Sequence, residues 1–301
     1  MKSVKDPCFA QAVRLRGLLL PGAGAFLDAT PSGTTYMSRG SMTMALGMRI
    51  GAHVGIGSAE ADVAECPLCV AGNRLNKKRD RSQSSTRRKV ILDAQGTHAL
   101  CSCIYGGDKT RRHNAVCDTI EQFGRMAKRS VRREVKAGTG NGKSRPGDVV
   151  FLNCGSNGTH VYTDVTLTYT GQPSKSYNMT AGEDTEGDAK RVSDQKDIKH
   201  KGNVESESRN TFLPLAANHF GGWEKRAVRF LKKLGNDASR AYNPRRVTSV
   251  FLFRELSVRI QNCNYDFVLN RRQAHFHEEA IRVGGLVEDS YVGQLDVPVA
   301  A

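Results

Sequence analysis

The chain has 301 residues, 39% hydrophobic and 25% charged, enough for one or two compact domains. Its formal net charge is +15 and aromatics make up only 7%, which fits a polyanion partner better than an apolar-ligand receptor. No apolar run approaches a membrane span, and Leu18-Leu19-Leu20 passes at once into Pro21-Gly22, so no membrane association and no secretory leader are expected.

Eight cysteines without a secretory leader read as reduced thiols, some of them metal ligands. Residues 8–20 alternate apolar and basic and predict a short helix ended by Pro21-Gly22. A loop through Pro31-Ser32-Gly33 follows. Met44, Leu46, Met48 and Ile50 then mark a second helix near 42–50. Residues 1–60 read as a linker-like region without a core of its own.

Cys66-Pro67-Leu68-Cys69 comes next, and His98 and Cys103 lie downstream. Two cysteines two residues apart on a tight turn can reach one tetrahedral Zn²⁺, and the other half of such a site is needed further along. Cys66, Cys69, His98 and Cys103 are therefore the expected zinc set, with Cys101 competing for the last place. The plainer reading makes the cysteines buried apolar groups and His98 a core histidine. Between the halves lies a Ser-rich basic stretch, 74–89, containing Lys77-Lys78-Arg79. It reads as an insertion that touches phosphate, or as a nuclear-import-like run.

From Arg111-Arg112-His113-Asn114 onward, apolar residues recur with helical period through Ile120, Phe123 and Ala127, predicting a helix over 111–129. Its polar face is basic and suits backbone phosphates; an ordinary solvated face is the alternative. Residues 131–135 read as a strand carrying Glu134. Two further β-branched runs, 147–152 and 161–168, each carry one carboxylate, Asp148 and Asp164, with a Gly155-Ser156-Asn157-Gly158 turn between them. Neighbouring strands can bring the two aspartates together, which costs free energy unless a cation or proton neutralises them. Mg²⁺ suits such a pair, because it takes a few carboxylate oxygens and leaves room for phosphate oxygens. A helix at about 183–200 carries Lys196 and His200, and 211–215 reads as another strand. Gly221-Gly222-Trp223 introduces a helix with Ala227, Val228, Leu231 and Leu234 on one side and Lys225, Arg226, Lys232 and Lys233 on the other. A long helix over 245–270 follows; His275 and His277 read as a surface pair, and the tail beyond about 283 as patternless.

The order of these features resembles the C-terminal region of non-LTR retrotransposon polyproteins that carry a restriction-like endonuclease. The features are the Cys-His knuckle, Arg112-His113-Asn114, Glu134, Arg145-Pro146-Gly147-Asp148, Asp164, Lys196 to His200, Phe212-Leu213-Pro214-Leu215 and Phe220-Gly221-Gly222-Trp223. Gly22 to Pro31 and the segment near Met44 resemble the linker that follows the reverse transcriptase in such polyproteins. The resemblance spans about 10–275 and rests on the order and spacing of these motifs together. It implies an α/β fold: a restriction-endonuclease-like mixed sheet flanked by helices (109–280), preceded by a small zinc-knuckle-like segment (61–108) and followed by a tail (281–301).

By resemblance, Asp148 and Asp164 bind the metal, Glu134 is an accessory carboxylate, Lys196 takes the displaced lysine position on the helix, and His200 stands where the family often has Tyr. Gly147 departs from the Pro or Ala often found there, and no reverse-transcriptase motif is visible. The implied activity is Mg²⁺-dependent nicking of target duplex DNA in the nucleus, with Zn²⁺ in the knuckle. Arg111, Arg112, His113, Asn114, Lys77, Lys78 and Arg79 are the expected contacts to DNA or RNA. Two other readings compete: a zinc-knuckle nucleic-acid-binding module on an inactive nuclease scaffold, and a non-functional relic of the element.

Overall fold

A computed structural model describes residues 7–52, 66, 68–69, 96, 98–102, 107–135, 147–170, 187–242 and 249–284. Among these lie seven α-helices and one open, four-stranded mixed sheet. The helices are α1 (Pro7–Leu18), α2 (Arg39–Ile50), α3 (Asp108–Met126), α4 (Gly187–Lys196), α5 (Gly202–Glu205), α6 (Lys225–Ala241) and α7 (Ser249–Gly284). The strands are β1 (Ser130–Val135), β2 (Gly147–Leu152), β3 (His160–Thr168) and β4 (Asn210–Asn218), in the spatial order β1-β2-β3-β4.

The strands β1, β2 and β3 form an antiparallel meander, and β4 joins β3 in parallel. A parallel neighbour needs a crossover connection. Here the chain between β3 and β4 carries α4, a π-helical turn (Asp197–Lys201) and α5. Pro214 lies in β4, an edge strand, where the missing N–H is tolerated.

The two faces of the sheet follow the period of two along each strand. Val149, Phe151, Val161, Val165, Leu215 and Ala217 join the main core with Val116, Ile120 and Phe123 of α3 and Leu231 and Leu234 of α6. Leu252, Leu256 and Ile260 of α7 complete that layer. The opposite face is covered by the crossover: Val150, Tyr162 and Phe212 pack with Val204 of α5, and Ala216 packs with Ala189 of α4 and Leu20. Asp164 shares its parity with Tyr162 and so sits on the crossover face.

The N-terminal segment is tied to this body. Asn218 donates to the Gly17 carbonyl at 2.8 Å, Trp223 N–H donates to the Pro21 carbonyl at 2.9 Å, and Phe26 and Ala45 cluster with Val258 of α7. At Gly22, φ is +90° and an added Cβ would lie 2.9 Å from the Gly221 carbonyl oxygen, so only glycine fits this approach.

The expected strands and helices are present, with shifted ends. The helix expected to begin at Gly221-Gly222-Trp223 starts at Lys225. Trp223 is instead bridged to Ala217, and the Glu224 carboxylate caps the N–H groups of Arg226 and Ala227. Within the helix expected over 183–200, the described residues from Gly187 to Lys196 are α-helical and continue as a π-helical turn. The helix expected over 245–270 runs on to Gly284, held by the buried Arg271, which pairs with Asp108 of α3. The tail beyond Gly284 and the side chains of His275 and His277 lie outside the described residues.

Helix α3 approaches the sheet through Gly124, where an added Cβ would meet Phe151 and Val131 at 2.7 Å each. Gly124→Ala therefore overpacks the contact between α3 and the sheet, with an expected loss of about 1–3 kcal/mol. Urea denaturation compared with the unmodified chain checks this, and an unchanged midpoint would show that the helix can shift without cost.

Candidate functional site

Strands β2 and β3 are paired from Phe151↔Val161 to Val149↔Thr163. At the next position Asp148 and Asp164 would face each other, and the described ladder stops there. Asp148 Oδ2 instead accepts the Val165 N–H at 2.7 Å. The carboxylate thus satisfies a backbone donor where the two strands part.

Each aspartate is met by cationic groups from a different layer. Helix α3 brings His113 Nε2 to 3.5 Å from Asp148 Oδ1. On the other side, Lys196 Nζ lies 2.9 Å from both carboxylate oxygens of Asp164. His200 Nε2 is 3.7 Å from Asp164 Oδ2, and Thr166 Oγ1 donates to Oδ1 at 3.2 Å. Lys196 ends α4 and His200 lies in the following π-helical turn, so the departure from α-helical period accompanies the convergence of both side chains on Asp164.

Electrostatics follow from this placement. Burial pushes the Asp164 carboxyl above its usual value; the Lys196 ammonium opposes that shift and the Asp148 charge reinforces it. Interaction with Asp148 raises the His113 imidazole, against a smaller opposing effect of burial. Burial lowers His200, and Asp164 partly compensates. The thiol of Cys117, one helical turn beyond His113, is pushed strongly up, first by burial and then by Asp148. Its Sγ is 3.6 Å from His113 Nε2.

The expected trio of Asp148, Asp164 and Lys196 is therefore brought to one place. Glu134 sits on β1, exposed, at the register position opposite Asp148, with an unusual φ of +50° for a non-glycine strand residue. Arg133 beside it donates to the Asp148 carbonyl at 3.0 Å and pairs with Asp118 and Glu121.

Cys66, Cys69 and His98 also come together and are all buried, with ligand atoms within 4.8 Å of one another and Cys69 Sγ 3.3 Å from His98 Nε2. They pack against Ala23, Met44, Met48, Leu100 and Phe267. Cys103 and Lys77, Lys78 and Arg79 lie outside the described residues.

The basic helix needs a correction. Arg112, expected to face nucleic acid, is 3% exposed. It donates to Asn264 at 2.6 Å and to the Leu100 carbonyl at 3.1 Å, with its guanidinium 4.9 Å from the Phe267 ring. A guanidinium enclosed in this way joins α3 to α7 and offers no face to phosphate. Arg111 and Asn114 are exposed, although Arg111 pairs with Asp108.

Several participants were not legible as a set. His113 was expected to contact nucleic acid, but its nearest charge is Asp148. Cys117 belongs to no sequence motif of its own. The i, i+4 spacing of His113 and Cys117 on a helix was the available signal.

Compared with known proteins, the chain matches no family model and no curated protein.

The raised His113 value has a defined sign in the pH dependence. Its contact with Asp148 is fully stabilising below pH 6.5, the value of a free imidazole, and is lost as pH rises through the folded midpoint. NMR titration should place the His113 midpoint above 6.5, and Asp148→Asn should bring it down. His200 should titrate below 6.5, so its contribution to stability has the opposite sign and grows as pH rises toward that value. A His113 midpoint unaffected by Asp148→Asn would remove Asp148 as the cause.

Proposed function

We propose that this chain is a metal-dependent DNA endonuclease with a restriction-endonuclease-like fold, preceded by a zinc-knuckle-like segment. The observation that carries this reading is the convergence of Asp148, Asp164 and Lys196 where β2 and β3 separate. Two hard carboxylates from adjacent strands, with a lysine from the following helix, suit a phosphodiester centre. The order of elements around them, helix, three-stranded meander, crossover helix and parallel strand, supports the same fold.

The donor set fits Mg²⁺: Asp148 and Asp164 offer carboxylate oxygens, and the buried Asp164 carboxyl gains most from added positive charge. When bound there, the metal would lower the pKa of a water and neutralise charge on the phosphoryl oxygens. The residues of the chain divide the remaining tasks. Val165 N–H fixes the Asp148 carboxylate. Lys196, held on Asp164, is placed to pair with a phosphate oxygen as negative charge develops. Glu134 would act as an accessory carboxylate at the rim. Cys66, Cys69 and His98, with Cys103, would hold Zn²⁺, and the exposed Arg111 and Asn114, with Lys77, Lys78 and Arg79, would meet the DNA backbone. Duplex DNA is the expected partner, with RNA a second polyanion, and the nucleus the expected compartment.

A second reading has its own support. Asp164 already has an ion pair with Lys196, and Asp148 already accepts a backbone N–H, so both carboxylates have partners without a divalent cation. That arrangement also suits a nucleic-acid-binding module on an inactive scaffold.

Supercoiled plasmid separates the two. The nuclease nicks it in Mg²⁺, and an Asp148→Ala plus Asp164→Ala variant loses at least about a hundredfold in rate. If the unmodified chain nicks no faster than that variant yet retains DNA, the binding module is the better description. Elemental analysis should find one zinc per chain more in the purified unmodified chain than in a Cys66→Ser plus Cys69→Ser variant. A zinc-free native chain would end the knuckle reading.

A further inference from the structure

Around Asp148 lies a second cluster whose other two members, His113 and Cys117, have no part in the proposed magnesium site. His113 and Cys117 are one turn apart on α3, and both reach toward Asp148 of β2. Their ligand atoms lie within 4.8 Å of one another. His113 Nε2 is 3.5 Å from Asp148 Oδ1, and Cys117 Sγ is 3.6 Å from His113 Nε2.

These separations suit a tetrahedral centre. With Zn–S of about 2.3 Å and Zn–N or Zn–O of about 2.0–2.1 Å, tetrahedral angles put N and O about 3.3 Å apart and S and N about 3.6 Å apart. The chemistry of the set is equally selective. Imidazole and thiolate favour borderline cations such as Zn²⁺ or Co²⁺, whereas Mg²⁺ demands oxygen ligands.

Access is also present. Cys117 is fully buried, but the His113 and Asp148 side chains are 32% and 22% exposed, which leaves a solvent side for entry and for a fourth ligand. The neighbouring cation, Arg133, is matched by Asp118 and Glu121 and by the Asp148 carbonyl, so its charge is largely accounted for.

We propose that His113, Cys117 and Asp148 form a binding site for a zinc-class divalent cation, distinct from the Cys66–Cys69–His98 cluster and sharing only Asp148 with the proposed magnesium site. Binding replaces the S–H bond of Cys117 with a metal–sulfur bond and releases the proton to solvent, with no change in oxidation state. The site stands on its own ligand geometry and does not require the chain to cleave DNA.

Cobalt(II) reports the site directly, because thiolate ligation gives a charge-transfer band and tetrahedral geometry gives intense visible bands. The test uses the reduced, full-length chain with its knuckle cysteines intact, titrated with Co²⁺ in the absence of DNA. The unmodified chain should bind one cobalt equivalent more than Cys117→Ser, with a correspondingly stronger thiolate band, and the affinity of that equivalent should fall at least about tenfold in His113→Ala. Cys117 is in the core, so His113→Ala, at a half-buried position, decides the matter if Cys117→Ser fails to fold by circular dichroism. Cobalt titrations of the unmodified chain and a folded His113→Ala variant that superimpose would overturn the proposal. Asp164→Asn separates this site from the nuclease reading: it should abolish magnesium-dependent nicking yet leave the Cys117-dependent part of the cobalt band, whereas loss of that part would show that the two sites are one.

Discussion

The Asp148 carboxylate on the Val165 N–H is the contact on which the candidate site depends. An antiparallel ladder normally satisfies its backbone groups strand to strand. Here the ladder between β2 and β3 stops at Val149↔Thr163, and a side chain takes over one of the donors. The two strands can then part without leaving that N–H unsatisfied. The parting places two carboxylates at the mouth of the sheet, one reached from α3 and the other from the crossover helix.

The second constraint is charge. Asp164 is nearly buried, and a buried carboxylate without a partner is costly. Lys196 and His200 supply the partner from one helical segment, whose period changes between them. The arrangement couples the crossover to the sheet through an ion pair as well as through Val204 and Ala189 packing. Other buried polar groups join the helices. Asp108 holds Arg271, and Arg112 reaches Asn264, which in turn donates to the His219 carbonyl. His219 accepts the Thr170 N–H and stacks on Tyr169 with ring centroids 4.0 Å apart. Burial holds its pKa well below the ordinary value, so it serves as a neutral acceptor. Among the described residues, Arg112 and Arg271 are buried alongside Asp108, Asp164, Asp188, Glu224 and Glu255, so burial takes no net positive charge from the surface.

Much of the architecture was legible because periodicity is local. The β-branched runs of 147–152 and 161–168, buried largely on both faces, and the 3.6-residue period in α3 and α6 follow from which surfaces each element must bury. Boundaries were less legible. Trp223 reads as the start of a helix from its neighbours, yet its bridge to Ala217 and the Glu224 cap move the start to Lys225. Of the candidate site, Asp148, Asp164 and Lys196 were legible as residue types on the right elements, but their mutual distances were not.

What the sequence by itself determined was the alternation of helices and strands, the mixed α/β class and the elements that carry each carboxylate, because these follow from hydrophobic period and turn residues a few positions apart. Tertiary structure alone decided that Arg112 is internal, that Asp148 satisfies a β3 backbone donor, and that His113 and Cys117 share Asp148. Each of these depends on groups brought together by chain segments far apart in sequence, and a local pattern carries no record of such meetings.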